Sequence, residues 1–220
     1  LNVLTGKDRS IVTDIAGTTR DTIDTHYKQF GKEFILVDTA GVRRKKKVKE
    51  DIEFYSVMRS IRALEESDVC IIMIDASKGL ESQDVNLVHL AEKNRKGVLI
   101  LVNKWDLVEK DTNTVNVIEK EMREKLAPSH YIPIMFISVL NKQRIFQAIE
   151  KSIEVFENRI MKIPTHELNS KMLKDIEAYP PPAIKGKHIK IKYVTQLPTH
   201  APTFAFFCNL PQYIKESYER

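Results

Sequence analysis

Two runs of consecutive apolar residues constrain the fold of this chain more than any other feature: VCIIMI at 69–74 and VLILV at 98–102. Both have the length of a strand, and a strand that lacks polar alternation is typical of a parallel sheet covered on both faces. Two further segments resemble them, FILV at 34–37, which runs into Asp38, and IPIMFI at 132–137. We therefore expect a mainly parallel sheet.

Helical patterns separate the predicted strands. Apolar residues recur there at three- and four-residue steps, over residues 54–64, 85–90, 117–126 and 145–160. Ser82 precedes the second of these patterns and is a candidate N-cap. Strands that alternate with helices predict an α/β domain with helices on both faces of its sheet, which we assign to residues 1–163.

The pattern changes after Lys162. The elements predicted there are a helix capped by Thr165 and stopped by the prolines at 180–182, an alternating strand HIKIKYV at 188–194, a more apolar strand TFAFFCNL at 203–210, and a helix that starts near Pro211. One helix, two strands and a further helix predict a small α+β domain over residues 164–220. We expect the chain to stop within that last helix.

The charge of the chain admits an acidic partner without requiring one. The 220 residues carry a formal net charge of +5, which permits contact with RNA. An evenly solvated surface is the alternative. No apolar run approaches the roughly 18 residues that cross a bilayer, so we expect no membrane partner. Cys70 and Cys208 both lie in apolar runs and are expected to be buried thiols of a reducing compartment, which is consistent with a cytoplasmic protein.

The most specific motif is NKWD at 103–106, directly after the VLILV strand. Guanine has two donors on one edge, N1–H and the 2-amino group, and one carboxylate can accept both. Asp106 is predicted to select guanine, because adenine would leave this carboxylate desolvated and unpaired. We expect Asn103 to bond the N7 side of the base and to hold the loop, Lys104 to cover a ring face with its stem, and Trp105 to act as a lid. A turn without a ligand is the alternative.

Two earlier loops offer groups for a phosphate and a hard cation. Asp38 ends a predicted parallel strand, where a carboxylate can hold a magnesium-bound water, and Gly41 lets a backbone N–H approach a terminal phosphate. Thr18 and Thr19 offer hydroxyls to the same ion. A strand-end Asp that caps a turn is the alternative. The candidate nucleotide-binding residues of the DTAGV segment are Asp38, Thr39, Ala40, Gly41 and Val42.

The last motif follows the IPIMFI strand. Ser138, Val139 and Leu140 are predicted to present a backbone N–H to O6 of guanine. The threonine pair, DTAG, NKWD and this segment each fall in a loop, and three of them end a predicted parallel strand. An open α/β sheet binds its ligands at such strand ends, so the order of the four motifs predicts a guanine nucleotide site.

In this order the motifs resemble the second to fifth motifs of a translation-factor-type GTPase. DIAGTTRDTID with DTAGVRRKKKV resembles the bacterial Der (EngA) family, and the segment YPPPAIKGKHIKIKYVTQLPTHAPTFAFFCN resembles the KH-like domain of that family. The resemblance implies a P-loop-NTPase-type fold followed by a KH-like domain, binding of GTP and GDP with Mg²⁺, and GTP hydrolysis. It also implies a role on the precursor of the large ribosomal subunit and its rRNA, with the family's first G domain as a partner within the intact chain.

The resemblance has two departures. Residues 1–6 resemble the end of the helix that follows the family's phosphate loop, which implies that the first strand and that loop precede Leu1 and that this segment alone binds GTP poorly. The chain also stops within a helix where the family continues to a further strand, which implies a C-terminally incomplete KH-like domain.

The position after DTAG is Val42, where many small GTPases have a glutamine that orients water, so we assign no catalytic base. The family resembles GTPases that depend on bound potassium, which implies K⁺ as a second cation.

Several alternatives stay open. The basic run at 43–49 is expected to contact rRNA, to sense the nucleotide state, or to be a solvated loop. Gly186 is the only glycine after Lys162, so a GxxG clamp of the KH type is excluded, and the lysines at 185–192 are expected to dock the G domain or structured rRNA. The alternatives to a GTPase are a pseudo-GTPase adaptor that binds rRNA or protein, and a related GTPase acting on tRNA modification or membranes. The domain after Lys162 argues against the latter.

Overall fold

The structure is a computed structural model that describes residues 2–6, 23–38, 61–109, 111–184 and 186–219. The chain divides into two compact units, Leu1–Phe156 and Glu157–Arg220. This division falls within a helix, whereas the sequence pattern places the domain boundary after that helix, at residue 163. Each unit is described by itself. None of the described helices has the length and the apolar composition to cross a membrane.

The first unit alternates strands and helices as predicted. In chain order its elements are α1 (Asn2–Thr5), β1 (Ile23–Gln29), β2 (Lys32–Asp38), β3 (Val69–Asp75), α2 (Ser82–Lys93), β4 (Gly97–Asn103), α3 (Thr114–Leu126), β5 (Ile134–Phe136) and α4 (Ile145–Ile160), which runs on across the division. Residues 61–66 are also helical. β3, β4 and β5 form a parallel sheet in that order.

The central strand, β4, is buried on both faces, as its apolar run predicts. Leu99 and Leu101 pack with Ile137, Ile145 and Ala148 on the side of α4. On the other face, the alternate residues of β4 join a larger core to which α2 and α3 contribute Val88, Met122 and Leu126. The sheet therefore has helices on both faces.

β3 and β5 pair parallel with β4 as predicted, whereas β3 and β2 each differ from the expectation in one respect. On β3, Ile72 and Ile74 are buried while Ile71 and Met73 are 37% and 50% exposed, so the described residues cover one face of this strand more fully than the other. β2 pairs antiparallel with β1 and has no parallel neighbour among the described strands. The two strands are joined by a two-residue turn at Phe30 and Gly31, both with positive φ, a turn geometry that matches the twist of a hairpin.

Two predicted helix caps are wrong by one residue. α2 is capped by Glu81 rather than Ser82, because the buried carboxylate of Asp84 accepts a hydrogen bond from the Glu81 backbone N–H at 3.1 Å. The next predicted cap, Thr165, is already helical, and Pro164 precedes it as the cap. Both differences come from which residue keeps an extended backbone, and the preference of Ser and Thr for the cap position does not decide this.

The second unit contains α5 (Thr165–Ala178), β6 (Ile191–Gln196), β7 (Phe204–Cys208) and α6 (Glu216–Glu219). β6 and β7 are antiparallel, and their inner residues form a core with α5 around Leu168, Ile191 and Val194. The Asn169 side chain bonds both backbone groups of Val194, at 2.7 and 2.9 Å, and so fixes α5 to β6. The helix predicted from Pro211 is wrong, because a 3-10 turn at Pro211–Tyr213 is followed by an extended residue before α6 begins.

Candidate functional site

The carboxyl ends of β3, β4 and β5 meet at one edge of the sheet. Asp75 and Asn103 are register partners at the ends of β3 and β4. Beyond them, the Ala76 N–H donates to the Asn103 carbonyl at 2.8 Å, and the Trp105 N–H donates to the Ile137 carbonyl at 3.1 Å. These backbone bonds tie the loop at 103–106 to the residues that follow both neighbouring strands.

Asn103 is bonded to the loop after β5. Its side-chain oxygen accepts a hydrogen bond from the Val139 N–H at 3.0 Å. This bond fixes the orientation of the amide, so that Nδ2 is the group left to donate. Nδ2 has no hydrogen-bond partner among the described residues, and a donor in this position suits an acceptor such as N7 of a purine.

Lys104 forms an ion pair that the sequence pattern did not predict. Its backbone has a left-handed conformation with φ of 62°, and its ammonium group lies 2.8 Å from Oδ2 of Asp75. The other carboxylate oxygen of Asp75 accepts hydrogen bonds from the backbone N–H and the hydroxyl of Ser77. The bond from Lys104, followed by those from Ser77, lowers the pKa of Asp75 to about 2. The signal for Asp75 was available in the sequence, as an acid at the end of a parallel strand.

The prediction of Trp105 as a lid is wrong. Trp105 is 4% exposed and belongs to the larger core of the first unit. Its ring packs on Phe136 of β5, with ring centroids 4.5 Å apart and an interplanar angle of 52°. The indole therefore lies beneath the loop and anchors the turn at Trp105–Leu107 from below.

Asp106 has a carboxylate oxygen with an unusual environment. Its Oδ1 is buried and lacks a hydrogen-bond partner within the described part of the chain. A buried acceptor without a partner costs about 1–3 kcal/mol, so a ligand that donates to this oxygen recovers that cost. The two-donor edge of guanine has the required chemistry, whereas the corresponding edge of adenine does not.

The loop after β5 uses most of its backbone donors internally. The Ser138 N–H donates to the Gln143 carbonyl at 3.3 Å, and the Val139 N–H is bonded to Asn103. The Leu140 N–H has no partner in the described ranges, and its side chain is 82% exposed. Of the three residues predicted to present an N–H, Leu140 is the one whose donor is available.

The other predicted site residues are not described. Asp38 is paired with Ile23 at the end of the β1–β2 hairpin, and its side chain is not described. The predicted functional residues that lie outside the described ranges are Thr18, Thr19, Thr39, Ala40, Gly41, Val42 and the basic run at 43–49. Within the described ranges there is no group of three or more His, Cys, Asp or Glu side chains that could hold a metal ion.

Solved structures of GTPases share this fold. A variant of Era from Aquifex aeolicus bound to GDP and aluminium fluoride aligns with a TM-score of 0.62 and 22% identity, over 88% of this chain and 67% of that chain. Era in complex with MgGDPNP and a segment of 16S ribosomal RNA aligns with a TM-score of 0.60, also at 22% identity and with the same coverage. At this level of identity the likeness shows the fold.

Sequence comparisons identify the family. Residues 1–104 match a model described as 50S ribosome-binding GTPase, and residues 162–220 match the C-terminal KH-domain-like model of EngA bacterial GTPase enzymes. GTPase Der of Cytophaga hutchinsonii is 64% identical over the whole chain, and those of Amoebophilus asiaticus and Flavobacterium johnsoniae are each 63% identical. The chain spans about half the length of these relatives, 51%, 51% and 50% respectively. It therefore belongs to the Der (EngA) family, with a P-loop GTPase fold followed by the family's KH-like domain.

Proposed function

We propose that the protein containing this chain is a cytoplasmic GTPase that binds and hydrolyses GTP and acts in assembly of the large ribosomal subunit. The observation that carries this proposal is the buried Oδ1 of Asp106, which has no hydrogen-bond partner among the residues that the structure describes. The names of the relatives and the description of the matched family model support the same activity. Because the relatives are about twice as long, the activity is proposed for the intact protein.

Guanine recognition is assigned to the donors and acceptors that have no partner among the described residues in the loops after β4 and β5. Asp106 accepts from N1–H and the 2-amino group, Asn103 donates from Nδ2 to N7, and the Leu140 N–H donates to O6. Lys104 covers one face of the base with its stem while its ammonium group is held by Asp75. Ser138 and Val139 support the loop, and Trp105 supports it from the core.

The phosphates and the cation are assigned to the preceding loops. We assign Thr39 to Val42 to the terminal phosphate, and Thr18 or Thr19, with Asp38 through a water, to Mg²⁺. Bound magnesium would supply positive charge to the phosphate oxygens, and K⁺ would add to it. Val42 has no group that can bond or deprotonate water, so in-line attack on the γ-phosphoryl would depend on charge stabilisation rather than on a protein base.

The domain organisation belongs to the same proposal. A G domain at 1–163 binds the nucleotide, a KH-like domain at 164–220 contributes to rRNA contact, and the first G domain of the family is a partner within the intact chain. This arrangement would let nucleotide state control binding to the precursor of the large subunit.

The test measures the intact protein for GTP hydrolysis and for co-sedimentation with large-subunit precursor particles. We expect hydrolysis of GTP but not ATP, and binding to the particle that differs between GDP and a non-hydrolysable GTP analogue. Particle binding without nucleotide binding would overturn the proposal in favour of a pseudo-GTPase adaptor. Hydrolysis without preference for the large over the small subunit would overturn the assignment of the target.

A further inference from the structure

The outer face of the β6–β7 hairpin has an irregular register that exposes two consecutive residues. Ile191 and Val194 are buried against α5, and the register of β6 shifts between Ile191 and Tyr193. A shift of this kind inserts one residue and turns the neighbouring side chains to one side. As a result, Lys192 and Tyr193 are both exposed, where a regular strand would point one of them towards the core.

Tyr193 lies opposite Phe207 on this face. The two rings have centroids 5.6 Å apart at an interplanar angle of 56°, and the residues are 44% and 54% exposed. The core cluster of this unit is formed by other residues. The two rings therefore leave much of their apolar surface in contact with solvent, as do aromatic side chains that take part in binding. We refer to Lys192, Tyr193 and Phe207 as the Tyr193–Phe207 face.

The segment before β6 is bonded to Asn209, the residue that follows β7. Oδ1 of Asn209 accepts from the Lys190 N–H at 2.8 Å, and Nδ2 of Asn209 donates to the His188 carbonyl at 3.2 Å. The Asn209 N–H also donates to the Lys190 carbonyl at 3.3 Å. The backbone that carries Lys190 is therefore held next to the end of β7, two residues beyond Phe207.

The stretch of sequence that contains this hairpin carries charge of one sign. From residue 178 to residue 215 the chain contains no Asp or Glu, and it contains the five lysines 185, 187, 190, 192 and 215. The acidic residues of this unit come before and after that segment, at Glu157, Glu167, Asp175, Glu177, Glu216 and Glu219. A long segment with lysines and without carboxylates favours an anionic partner.

We propose that the Tyr193–Phe207 face binds unpaired bases of single-stranded RNA. Bases stack on exposed aromatic rings whatever their sequence, and lysines beside the rings contact the phosphates. The face belongs to the open side of a two-stranded sheet and needs no GxxG loop, so it differs from the clamp that Gly186 alone cannot form. This inference rests on the RNA contact in the proposed function and deepens it by naming the form of RNA and the residues.

The experiment titrates the 220-residue chain into a fluorescently labelled 12-nucleotide oligouridine and into an RNA duplex of the same length, followed by anisotropy. Tyr193→Leu and Phe207→Leu keep apolar bulk but remove the ring. Each is expected to weaken binding to the single strand at least about fivefold, the lower limit for loss of one stacked base, and to leave binding to the duplex unchanged. Lys192→Gln is expected to reduce the slope of log affinity against log salt by about 0.7, as for one phosphate contact.

The matched control is Phe206→Leu. Phe206 is also aromatic and 44% exposed, but as the neighbour of Phe207 it points to the opposite face of the hairpin, so its variant should bind as the wild type does. Ultraviolet crosslinking of the wild-type chain to oligouridine, mapped by mass spectrometry, needs no variant and should place the crosslinks at Tyr193 or Phe207.

The inference would be overturned if both ring variants bound the single strand as tightly as the wild type. Crosslinks confined to other residues, or tighter binding of the wild type to the duplex than to the single strand, would also overturn it. Loss of affinity for a protein partner with RNA binding unchanged would also overturn it. None of these outcomes depends on nucleotide binding at Asp106. A failure of this inference is therefore distinguishable from a failure of the proposed GTPase activity, which is measured by hydrolysis of GTP by the intact protein.

Discussion

The ammonium group of Lys104 lies 2.8 Å from a carboxylate oxygen of Asp75, at the point where β3 and β4 end side by side. The carboxylate is also bonded by Ser77, so it holds the lysine from a fixed position. The ion pair thereby fixes the Lys104 ammonium group at the end of β3. An ion pair outside the predicted motifs thus helps to position a predicted base-binding residue.

Replacing Lys104 should raise the pKa of Asp75. In Lys104→Met the largest cause of the lowered pKa is removed, so the pKa should rise from about 2 towards its ordinary value of 3.8, and remain below it because Ser77 still donates. A lowered pKa stabilises the folded state above pH 4, and that contribution is lost as the pH falls through about 2. Carbon-13 NMR titration of the carboxyl group measures the shift. Lys78→Met, which removes a nearby exposed lysine, is the control, and an equal pKa in both variants would contradict the ion pair.

Truncating Trp105 should destabilise the first unit. Trp105 is 4% exposed and packs on Phe136, so Trp105→Ala should lower the free energy of unfolding by about 3–5 kcal/mol. Leu107→Ala, at a position that is 68% exposed, should change it by less than about 0.5 kcal/mol. Urea denaturation measures both. Since Trp105 is the only tryptophan, strong acrylamide quenching in the native protein would contradict its burial.

The sheet could be predicted where the sequence reflects the local environment of a strand. β4 is apolar throughout because it is covered on both faces. The exposure of β3 and the pairing of β2 differ from the prediction for non-local reasons. β3 has an equally apolar sequence, yet Ile71 and Met73 are exposed, because an apolar run does not specify which elements pack on each face of a strand. The antiparallel pairing of β2 depends on the positive φ values of the turn at 30–31, which the apolar run does not encode.

The candidate site shows the same difference between features set by local sequence and features set by non-local contacts. Asn103 was expected to hold its own loop, whereas its bond to Val139 in the loop after β5 depends on the pairing of β4 with β5. Asp75 was missed because its role depends on the register that places it beside Asn103. The direction of Trp105 could not be predicted either, since it is set by the left-handed backbone of Lys104 and the turn that follows.

Two substitutions of Asn103 should separate its structural and binding roles. Asn103→Asp keeps an oxygen that accepts from the Val139 N–H but removes the Nδ2 donor, so stability should change little while GTP affinity falls. Asn103→Ala removes both groups and leaves that N–H unpaired, which should also lower the free energy of unfolding by about 1–3 kcal/mol. Thermal unfolding and titration with a fluorescent GTP analogue, on the intact protein, measure the two effects. Equal GTP affinity in Asn103→Asp and the wild type would remove Nδ2 from base recognition.

Asp106→Asn in the intact protein should weaken GTP binding and shift the preference towards xanthosine triphosphate. The amide has a single acceptor oxygen, so it loses the charged pairing with the 2-amino group of guanine, at about 2–3 kcal/mol or roughly 30- to 150-fold in affinity. Xanthine has a 2-oxo group instead, which accepts from the new side-chain NH₂ while N1–H still donates to the amide oxygen. Competition titrations with GTP, xanthosine triphosphate and ATP measure the change.

Glu109→Gln neutralises an exposed carboxylate three residues away and should leave all three affinities as they are in the wild type. If Asp106→Asn binds the three nucleotides as Glu109→Gln does, the buried oxygen of Asp106 does not face the base. A carboxylate that accepts from both donors of guanine cannot be replaced by an amide without a change in the relative affinities for GTP and xanthosine triphosphate.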